Sequence, residues 1–379
     1  MPNNHALLFL PDISGFTRFV ERTDIDHGQH IISELIELLI DEDRLGLTVA
    51  EVEGDAVFFY SDRSPPTVDA LLEQCQRMFV RFHRHLHRYS THRICDCGAC
   101  STAERLTLKF VAHAGAIRMI TVGGRSKPYG AEVIMAHRLL KNKVAGHEYI
   151  LLTDALVQGH PIPLNDGITR SAEGLEEYED LPAVRYHVLD ISKLHELVEE
   201  ADQAAEPLPK AADPIVRSIN IDASPVLVFR ALTDIERRSE WDPVATRIER
   251  TDQYVNRRGS RHTCVLPVGQ VVQETVSGGR AGEGFEFVER TLKVPFISMA
   301  YTQYVIAPEG TGSRLASTTH LVPGSIMGRL MLGFAERRMG KWQSAALQHL
   351  KTLVEKESSR SDQGTTTTNQ IVTNVLTEP

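Results

Sequence analysis

Two aspartates near the start of the chain stand where carboxylates can bind a hard divalent cation. Asp12 follows a short apolar run that predicts a buried strand, and Gly15 allows a tight turn into a helix. Asp55 follows Gly54, which joins two alternating apolar segments within 47–60 and predicts a β-hairpin. If the hairpin packs beside the first strand, the two carboxylates lie close together. Carboxylate and carbonyl oxygens suit Mg²⁺ or Mn²⁺, and two such ions support in-line attack on a phosphate.

The elements that must position these carboxylates can be predicted from periodicity. Apolar residues at helical spacing predict helices over 26–42 and 67–89, and Cys75 lies on the apolar stripe of the second. Alternation predicts strands over 5–11 and 106–117. Together with the hairpin, these elements indicate an α+β domain in which helices cover a sheet.

Three segments resemble the class III nucleotidyl cyclases, over roughly the first half of the chain. They are Asp12-Ile13-Ser14-Gly15-Phe16-Thr17, the pair Gly54-Asp55, and 129–139, which reads Tyr-Gly-Ala-Glu-Val-Ile-Met-Ala-His-Arg-Leu. The resemblance implies a ferredoxin-like catalytic fold that joins the 3′-hydroxyl of a nucleoside triphosphate to its α-phosphate. It also implies a homodimer in which each site is shared by two chains. The implied metal ligands are Asp12, Asp55 and the Ile13 carbonyl, the implied nucleotide contacts include Gly15, Phe16, Thr17 and Gly54, and Arg138 is the implied transition-state arginine.

The positions that would read the ribose and base depart from the family pattern. Ile134 replaces an asparagine, and an isoleucine cannot hydrogen-bond a ribose. Glu51 stands at a base-reading position, where a carboxylate favours guanine, and its implied partner Lys127 matches neither the adenine nor the guanine enzymes. Glu51 and Arg138 also fit ordinary surface positions. Two interpretations therefore stay open: a slow adenylate or guanylate cyclase, and a catalytically degenerate module for nucleotide binding or dimerisation.

A cysteine-rich segment follows the second long helix. Cys95, Cys97 and Cys100 lie close to several histidines, of which His92 is the nearest in sequence. Thiolates and imidazoles are the usual ligands of tetrahedral Zn²⁺, so this segment predicts a zinc site. The alternative is a surface loop with reduced thiols.

The C-terminal half has a different pattern. The run Ile219-Asn220-Ile221-Asp222-Ala223-Ser224-Pro225-Val226, the later Trp241, glycine-punctuated strands and a long helix over about 325–357 resemble START-like (SRPBCC) helix-grip domains. That resemblance implies a curved antiparallel sheet around a cavity for a hydrophobic small molecule or lipid. The expected lining includes Met331, Phe334 and Trp342. No convergent acid and base residues indicate catalysis in this half.

Composition limits the remaining possibilities. The chain has 379 residues, of which 42% are hydrophobic, and this suffices for more than one core. Its net charge of −9 disfavours nucleic-acid binding. No apolar run is long enough to span a bilayer, no signal peptide is evident, and the few cysteines do not form a secreted framework, so we expect a cytoplasmic protein. The predicted organisation is a cyclase-like domain over 1–195, a linker over 196–213, a helix-grip domain over 214–357 and a disordered tail over 358–379.

Overall fold

The chain divides into two compact units. The computed structural model describes residues 5–21, 25–61, 63, 65–94, 98–198, 213–250, 256–267, 269–292 and 297–375. The first unit comprises 1–91 and 97–202, and the second comprises 92–96 and 203–379. The segment 92–96 thus belongs to the second unit, although the chain on either side of it belongs to the first. Among the described helices, none combines the length and the hydropathy needed to cross a membrane.

The first unit begins with the order strand, helices, two strands, helix, strand. Its elements up to the central strands are β1 (His5–Ser14), α1 (Phe16–Glu21), α2 (Ile25–Asp41), β2 (Thr48–Glu53), β3 (Ala56–Ser61), α3 (Val68–Thr91), α4 (Gly98–Thr102), a 3₁₀ turn (Ala103–Arg105) and β4 (Thr107–Ala116). These strands lie in the order β2-β3-β1-β4, which is the ferredoxin-like arrangement. The predicted α+β ferredoxin-like fold is therefore confirmed.

Further elements extend this sheet and cover it. They are β5 (Arg118–Val122), β6 (Arg125–Tyr129), α5 (Ala131–Leu139), β7 (Tyr149–Thr153), α6 (Asp154–Val157), β8 (Thr169–Tyr178), β9 (Leu181–Asp190) and a second 3₁₀ segment (Ser192–Leu197). The sheet continues as β4-β7-β9-β8, while β5 and β6 form a separate hairpin. The sequence did not indicate β8, because it is an edge strand with mostly exposed, polar residues.

Strand β1 is the centre of the first unit. It pairs antiparallel with β3 on one side and with β4 on the other. Leu7, Leu8, Phe9 and Leu10 are fully buried, so both faces of the strand lie in the core. Cys75 on α3 is also fully buried, as its place on the apolar stripe predicted. The position of every residue on β1, including Asp12, is consequently fixed by packing on both faces.

The second unit is an antiparallel sheet with a long helix. Its elements are β10 (Ile215–Ile221), α7 (Pro225–Thr233), α8 (Arg238–Trp241), β11 (Arg247–Arg250), β12 (Arg261–Val265), β13 (Gln270–Ala281), β14 (Gly284–Leu292), β15 (Ile297–Glu309), β16 (Gly312–Pro323), α9 (Ile326–Leu330) and α10 (Leu332–Val375). The strand order is β10-β16-β15-β14-β13-β12-β11. Ala346, Leu350 and Val354 of α10 share one core cluster with Phe287 and Leu315 of the sheet. The predicted helix-grip fold is confirmed.

The C-terminal helix differs from its prediction at both ends. The expected single helix over 325–357 is divided at Met331 into α9 and α10. α10 then continues to Val375, through residues whose composition predicted a disordered tail. Extending an existing helix costs much less than nucleating a new one, which a prediction from composition does not include. Most of the predicted linker, 199–212, lies outside the described residues.

The core of the second unit contains a buried ion pair. Both terminal nitrogens of Arg238 donate to the Glu289 carboxylate, at 2.6 and 2.8 Å. Tyr304 donates its hydroxyl to Glu289 at 3.2 Å. His262 lies in the same environment, and burial followed by the Arg238 charge lowers its pKa to about 3, which Glu289 opposes. His262 is therefore neutral in the folded protein at neutral pH.

This neutral histidine predicts a loss of stability in acid. The unfolded state of His262 binds its proton near pH 6.5 and the folded state only near pH 3, so stability is complete above pH 6.5 and falls as the pH decreases. Between pH 8 and pH 5 this residue costs about 2 kcal/mol of unfolding free energy. In urea denaturation, the unfolding free energy of wild type should decrease by about 2 kcal/mol more between pH 8 and pH 5 than that of His262→Phe. The fluorescence of the chain's two tryptophans, Trp241 and Trp342, reports on the second unit.

The matched control is His349→Phe, because His349 is exposed on α10. It should follow the pH dependence of wild type. If His262→Phe and wild type lose the same unfolding free energy between pH 8 and pH 5, the assignment is wrong.

Candidate functional site

The register of the central strands brings the two predicted carboxylates together. Asp12 on β1 is opposite Ala56 on β3, the residue directly after Asp55. The backbone amide of Ile13 donates to the backbone carbonyl of Asp55 at 2.9 Å, which joins the two segments at this point. The predicted hairpin lies next to the first strand, as the argument for a shared site required.

The residues of the first motif line one pocket of about 520 Å³. Asp12, Ile13, Gly15, Phe16, Thr17 and Asp55 all line it. The binding of a nucleotide and a metal ion at these residues stays a prediction. Gly15 has a φ of +89°, a left-handed conformation that disfavours residues with a Cβ. The turn between β1 and α1 therefore depends on this glycine, and the turn forms one wall of the pocket.

Basic side chains line the same pocket, and the sequence analysis missed them. They are Arg18 on α1, Arg105 in the 3₁₀ turn, Lys109 on β4 and His147 before β7. The sequence did contain a signal for Lys109, because it is a charged residue within the apolar alternation of β4. Its function was not evident, because only the pairing of β4 with β1 places Lys109 opposite Asp12. The pocket thus combines two carboxylates with several cationic groups.

Lys109 and Asp12 form an ion pair inside the pocket. Lys109 Nζ lies 2.9 Å from Asp12 Oδ2, and both side chains are mostly buried. Lys109 also donates to the carbonyl oxygen of Leu140, directly after α5, at 3.2 Å. Because an ammonium group already balances one carboxylate, the pocket has less unbalanced negative charge than two free aspartates would give.

Within the described part of the chain, Asp55 forms no ion pair of this kind. Burial raises the pKa of Asp55, and the charge of Asp12 raises it further, while a backbone hydrogen bond and Lys109 oppose the increase. Two neighbouring carboxylates and a backbone carbonyl form a hard donor set, which fits Mg²⁺ or Mn²⁺. The residues present therefore fit a divalent ion, which would compete with the Lys109 ammonium for Asp12.

The remaining residues implied by the resemblance lie outside the pocket lining. Glu51 on β2 and Lys127 on β6 form an ion pair of 3.7 Å, with both side chains about half exposed. Gly54 forms the turn between β2 and β3, with a φ of +64°. Arg138 on α5 stacks over the ring of Tyr178 at 5.3 Å. Within one chain, the pocket does not include Arg138.

The zinc prediction is only partly covered by the structure. Cys95 and Cys97 lie outside the described residues. Cys100 is buried in α4 of the first unit. His92 belongs to the second unit, where its backbone carbonyl accepts a hydrogen bond from the amide of Arg258 at 2.8 Å. The zinc site at these residues stays a prediction.

The residues expected to line a cavity in the second unit differ in their surroundings. Phe334 has 61% of its surface exposed, because Leu332, Ala335 and Met339 are the residues of this helical turn that pack against the sheet. Met331 is half-buried at the junction of α9 and α10. Trp342 is anchored by its indole nitrogen, which donates to Asp242 at 2.7 Å. A cavity lined by these three residues stays a prediction.

Part of the interior between the sheet and α10 is polar. The hydroxyl groups of Thr302 and Thr319 lie 2.8 Å apart, and Gln343 on α10 donates to Thr319. Thr291 donates to Gln273 at 2.8 Å in the same sheet. The buried side of α10, which the sequence predicted to be an apolar stripe, thus also contains the buried Gln343.

Comparison with known proteins assigns both halves of the chain. Residues 214–355 match the family model described as "Polyketide cyclase / dehydrase and lipid transport". Residues 32–149 match the model of a "Protein of unknown function (DUF2652)". The chain is also 30% identical over 162 residues to the uncharacterized protein Rv2561/Rv2562 of Mycobacterium tuberculosis, an alignment that covers 42% of this chain and 74% of that protein. The chain belongs to the family of this mycobacterial protein.

Solved structures similar to each half are also known. The guanylate cyclase domain of RhGC from Catenaria anguillulae, in complex with GTP, is 16% identical, with a TM-score of 0.36, and the match covers 50% of this chain and 97% of that one. The adenylyl cyclase CyaB from P. aeruginosa is 17% identical, with a TM-score of 0.34, over 49% and 94% of the two chains. The protein TTHA0849 from Thermus thermophilus is 21% identical, with a TM-score of 0.31, over 38% and 99%.

The ion pair in the pocket gives a test of the cation site. Lys109→Met removes the ammonium group 2.9 Å from Asp12 and keeps a similar volume. Like charges about 4 Å apart repel by about 1–4 kcal/mol between bulk water and a protein surface. The variant should therefore bind Mn²⁺, in the absence of nucleotide, about tenfold more tightly or better. Electron paramagnetic resonance of free Mn²⁺ measures this affinity.

Lys127→Met is the control, because Lys127 pairs with Glu51 outside the pocket lining. It should bind Mn²⁺ like wild type. Equal Mn²⁺ affinities of Lys109→Met and wild type would show that Lys109 does not compete with a cation at Asp12.

Proposed function

We propose that the first unit binds a nucleoside triphosphate together with Mg²⁺ or Mn²⁺, and converts it slowly to a cyclic nucleotide. The observation that supports this is the single pocket lined by Asp12, Asp55 and the turn at Gly15 together with cationic side chains. A triphosphate and its metal ion need both signs of charge in one site. The motif resemblance of these same residues to the class III cyclases gives the reaction type.

Each side chain has a defined part in this proposal. Asp12 and Asp55 would hold the ion, which supplies Lewis-acid polarisation of the phosphate oxygens and of the attacking hydroxyl. Arg18 and Arg105 would balance phosphate charge. The bond between the 3′-oxygen and the α-phosphorus forms, the bond to the β-phosphate bridging oxygen breaks, pyrophosphate leaves, and the hydroxyl proton passes to solvent.

The location of Arg138 supports a shared site in a homodimer. Arg138 does not line the pocket of its own chain, so a second copy would have to supply it. Several large apolar residues of the first unit are exposed, including Ile134 on the helix of Arg138, and a two-fold partner would cover such residues. They include Val49 and Val52 on β2, Met119, Val122 and Tyr129 on the hairpin of β5 and β6, and Ile134 on α5.

Two features favour a slow reaction. Ile134 cannot orient a ribose, and loss of such positioning commonly costs about a hundredfold in rate. Lys127 neutralises Glu51 within the same chain, which weakens the ability of this carboxylate to select guanine. Both features, with the Lys109–Asp12 pair, also support the alternative that the unit only binds nucleotide or dimerises.

For the second unit we propose binding of a hydrophobic small molecule or lipid, which would signal to the nucleotide site. The match to the polyketide cyclase and lipid transport family supports this proposal. The polar interior around Thr302, Thr319 and Gln343 favours a ligand that carries a polar group as well as an apolar body.

Removing the Asp55 carboxylate tests nucleotide binding. Asp55→Ala should abolish the metal-dependent part of the affinity for ATP and GTP, because one of the two carboxylate ligands is lost. Isothermal titration calorimetry with and without Mn²⁺ measures this part. Asp166→Ala is the control, since Asp166 is exposed in a turn away from the pocket. Unchanged calorimetric affinity in Asp55→Ala would reject the assignment of this pocket.

Mixing two inactive chains tests the shared site. Arg138→Ala and Asp55→Ala homodimers should each lose any cyclase activity, and their mixture should recover part of it, because one of the two hybrid sites is intact. Ile134→Asn should raise the activity. Cyclic product is measured by mass spectrometry. A monomer at micromolar concentration, or a mixture that recovers nothing while wild type is active, would contradict this model.

A further inference from the structure

Three ligand-bearing side chains meet in the first unit, away from the pocket lining. His83 lies on α3, Glu148 directly precedes β7, and His195 lies in the 3₁₀ segment Ser192–Leu197. One nitrogen or oxygen atom of each lies within 4.8 Å of those of the other two. None of the three lines the pocket at Asp12 and Asp55.

The distances agree with coordination of one ion. His195 Nε2 lies 2.9 Å from Glu148 Oε1, and His83 Nε2 lies 3.6 Å from the same oxygen. Two ligand atoms about 2.0–2.2 Å from a tetrahedral ion lie about 3.4 Å from each other. The 3.6 Å separation of His83 Nε2 from Glu148 Oε1 is close to this ligand spacing and too long for a hydrogen bond. His195 Nε2 is hydrogen-bonded to the same oxygen at 2.9 Å, and all three atoms lie within 4.8 Å of one another, so a small displacement of His195 would give a metal ion room.

His83 has an unsatisfied nitrogen at this place. Its side chain is 5% exposed, and its buried Nε2 has no hydrogen-bond partner among the residues that the structure describes. Phe79 and Phe82 pack against its ring, at centroid distances of 4.2 and 5.2 Å. Burial and the neighbouring His195 lower the pKa of His83 to about 3, so the ring is neutral. A neutral imidazole with a free lone pair is the form that binds metals.

We propose that His83, Glu148 and His195 form a binding site for a transition-metal ion, Zn²⁺ by preference. Two imidazoles and one carboxylate are a borderline-soft donor set that suits Zn²⁺ better than Mg²⁺. The His195 side chain is 45% exposed, so water can reach the ion and complete the coordination with three protein ligands. Bound metal would attach the 3₁₀ segment to α3, just before the chain leaves the described part of the first unit.

Zinc titration of the full chain tests the site. The Cys95→Ser/Cys97→Ser variant serves as background, because it removes two of the four other predicted zinc ligands and leaves only Cys100 and His92. In this background, equilibrium dialysis followed by elemental analysis should find one Zn²⁺ per chain, and His195→Gln should lose it. His195 is partly exposed, so this variant should fold, which circular dichroism verifies. His83→Asn should lose the ion as well.

His87→Gln is the matched control, because His87 is exposed one turn further along α3. It should retain the ion. Binding of Zn²⁺ should also raise the melting temperature of the background variant and of His87→Gln, and leave that of His195→Gln unchanged. No zinc in the folded background variant, or equal zinc content in His195→Gln and His87→Gln, would overturn the proposal.

Discussion

The ion pair between Lys109 and Asp12 determines the balance of charge in the pocket of the first unit. It exists because β1 pairs with β4 in a register that places these two residues opposite each other. The same strand pairs with β3, which brings Asp55 to the other side of Asp12. A shift of one residue would turn Asp12 to the opposite face of the sheet, so the buried residues of β1 determine the charge of the pocket.

The second unit depends on a different buried pair. Arg238 and Glu289 are both almost inaccessible to solvent, and Arg238 also lies 3.5 Å from Asp242. Removing either member of the Arg238–Glu289 pair would therefore leave a poorly compensated buried charge. Burial and the Arg238 charge keep His262 neutral beside them, and Trp342 is held to Asp242 next to Arg238. The interior of this helix-grip domain is therefore organised by charges and hydrogen bonds as well as by its apolar cluster.

Local patterns in the sequence predicted most elements but few of their pairings. The apolar run before Asp12 and the alternation around Gly54 were enough for β1 and the hairpin. Lys109 was missed as a site residue, because its contact with Asp12 depends on a register between distant strands. His83 and His195 are separated by most of the first unit in sequence, so no spacing rule brings them together. The helical stripe alone does not define which side of α10 packs against the sheet, so it did not identify Phe334 as an exposed residue.

The most direct measurement is product analysis after incubation of the purified chain with ATP or GTP and Mn²⁺. The account predicts slow formation of a cyclic nucleotide and pyrophosphate by wild type, detected by mass spectrometry, and none by Asp55→Ala. Complete recovery of unreacted triphosphate, from a chain that still binds nucleotide through Asp55, would contradict catalysis. The pocket would then be a binding site only.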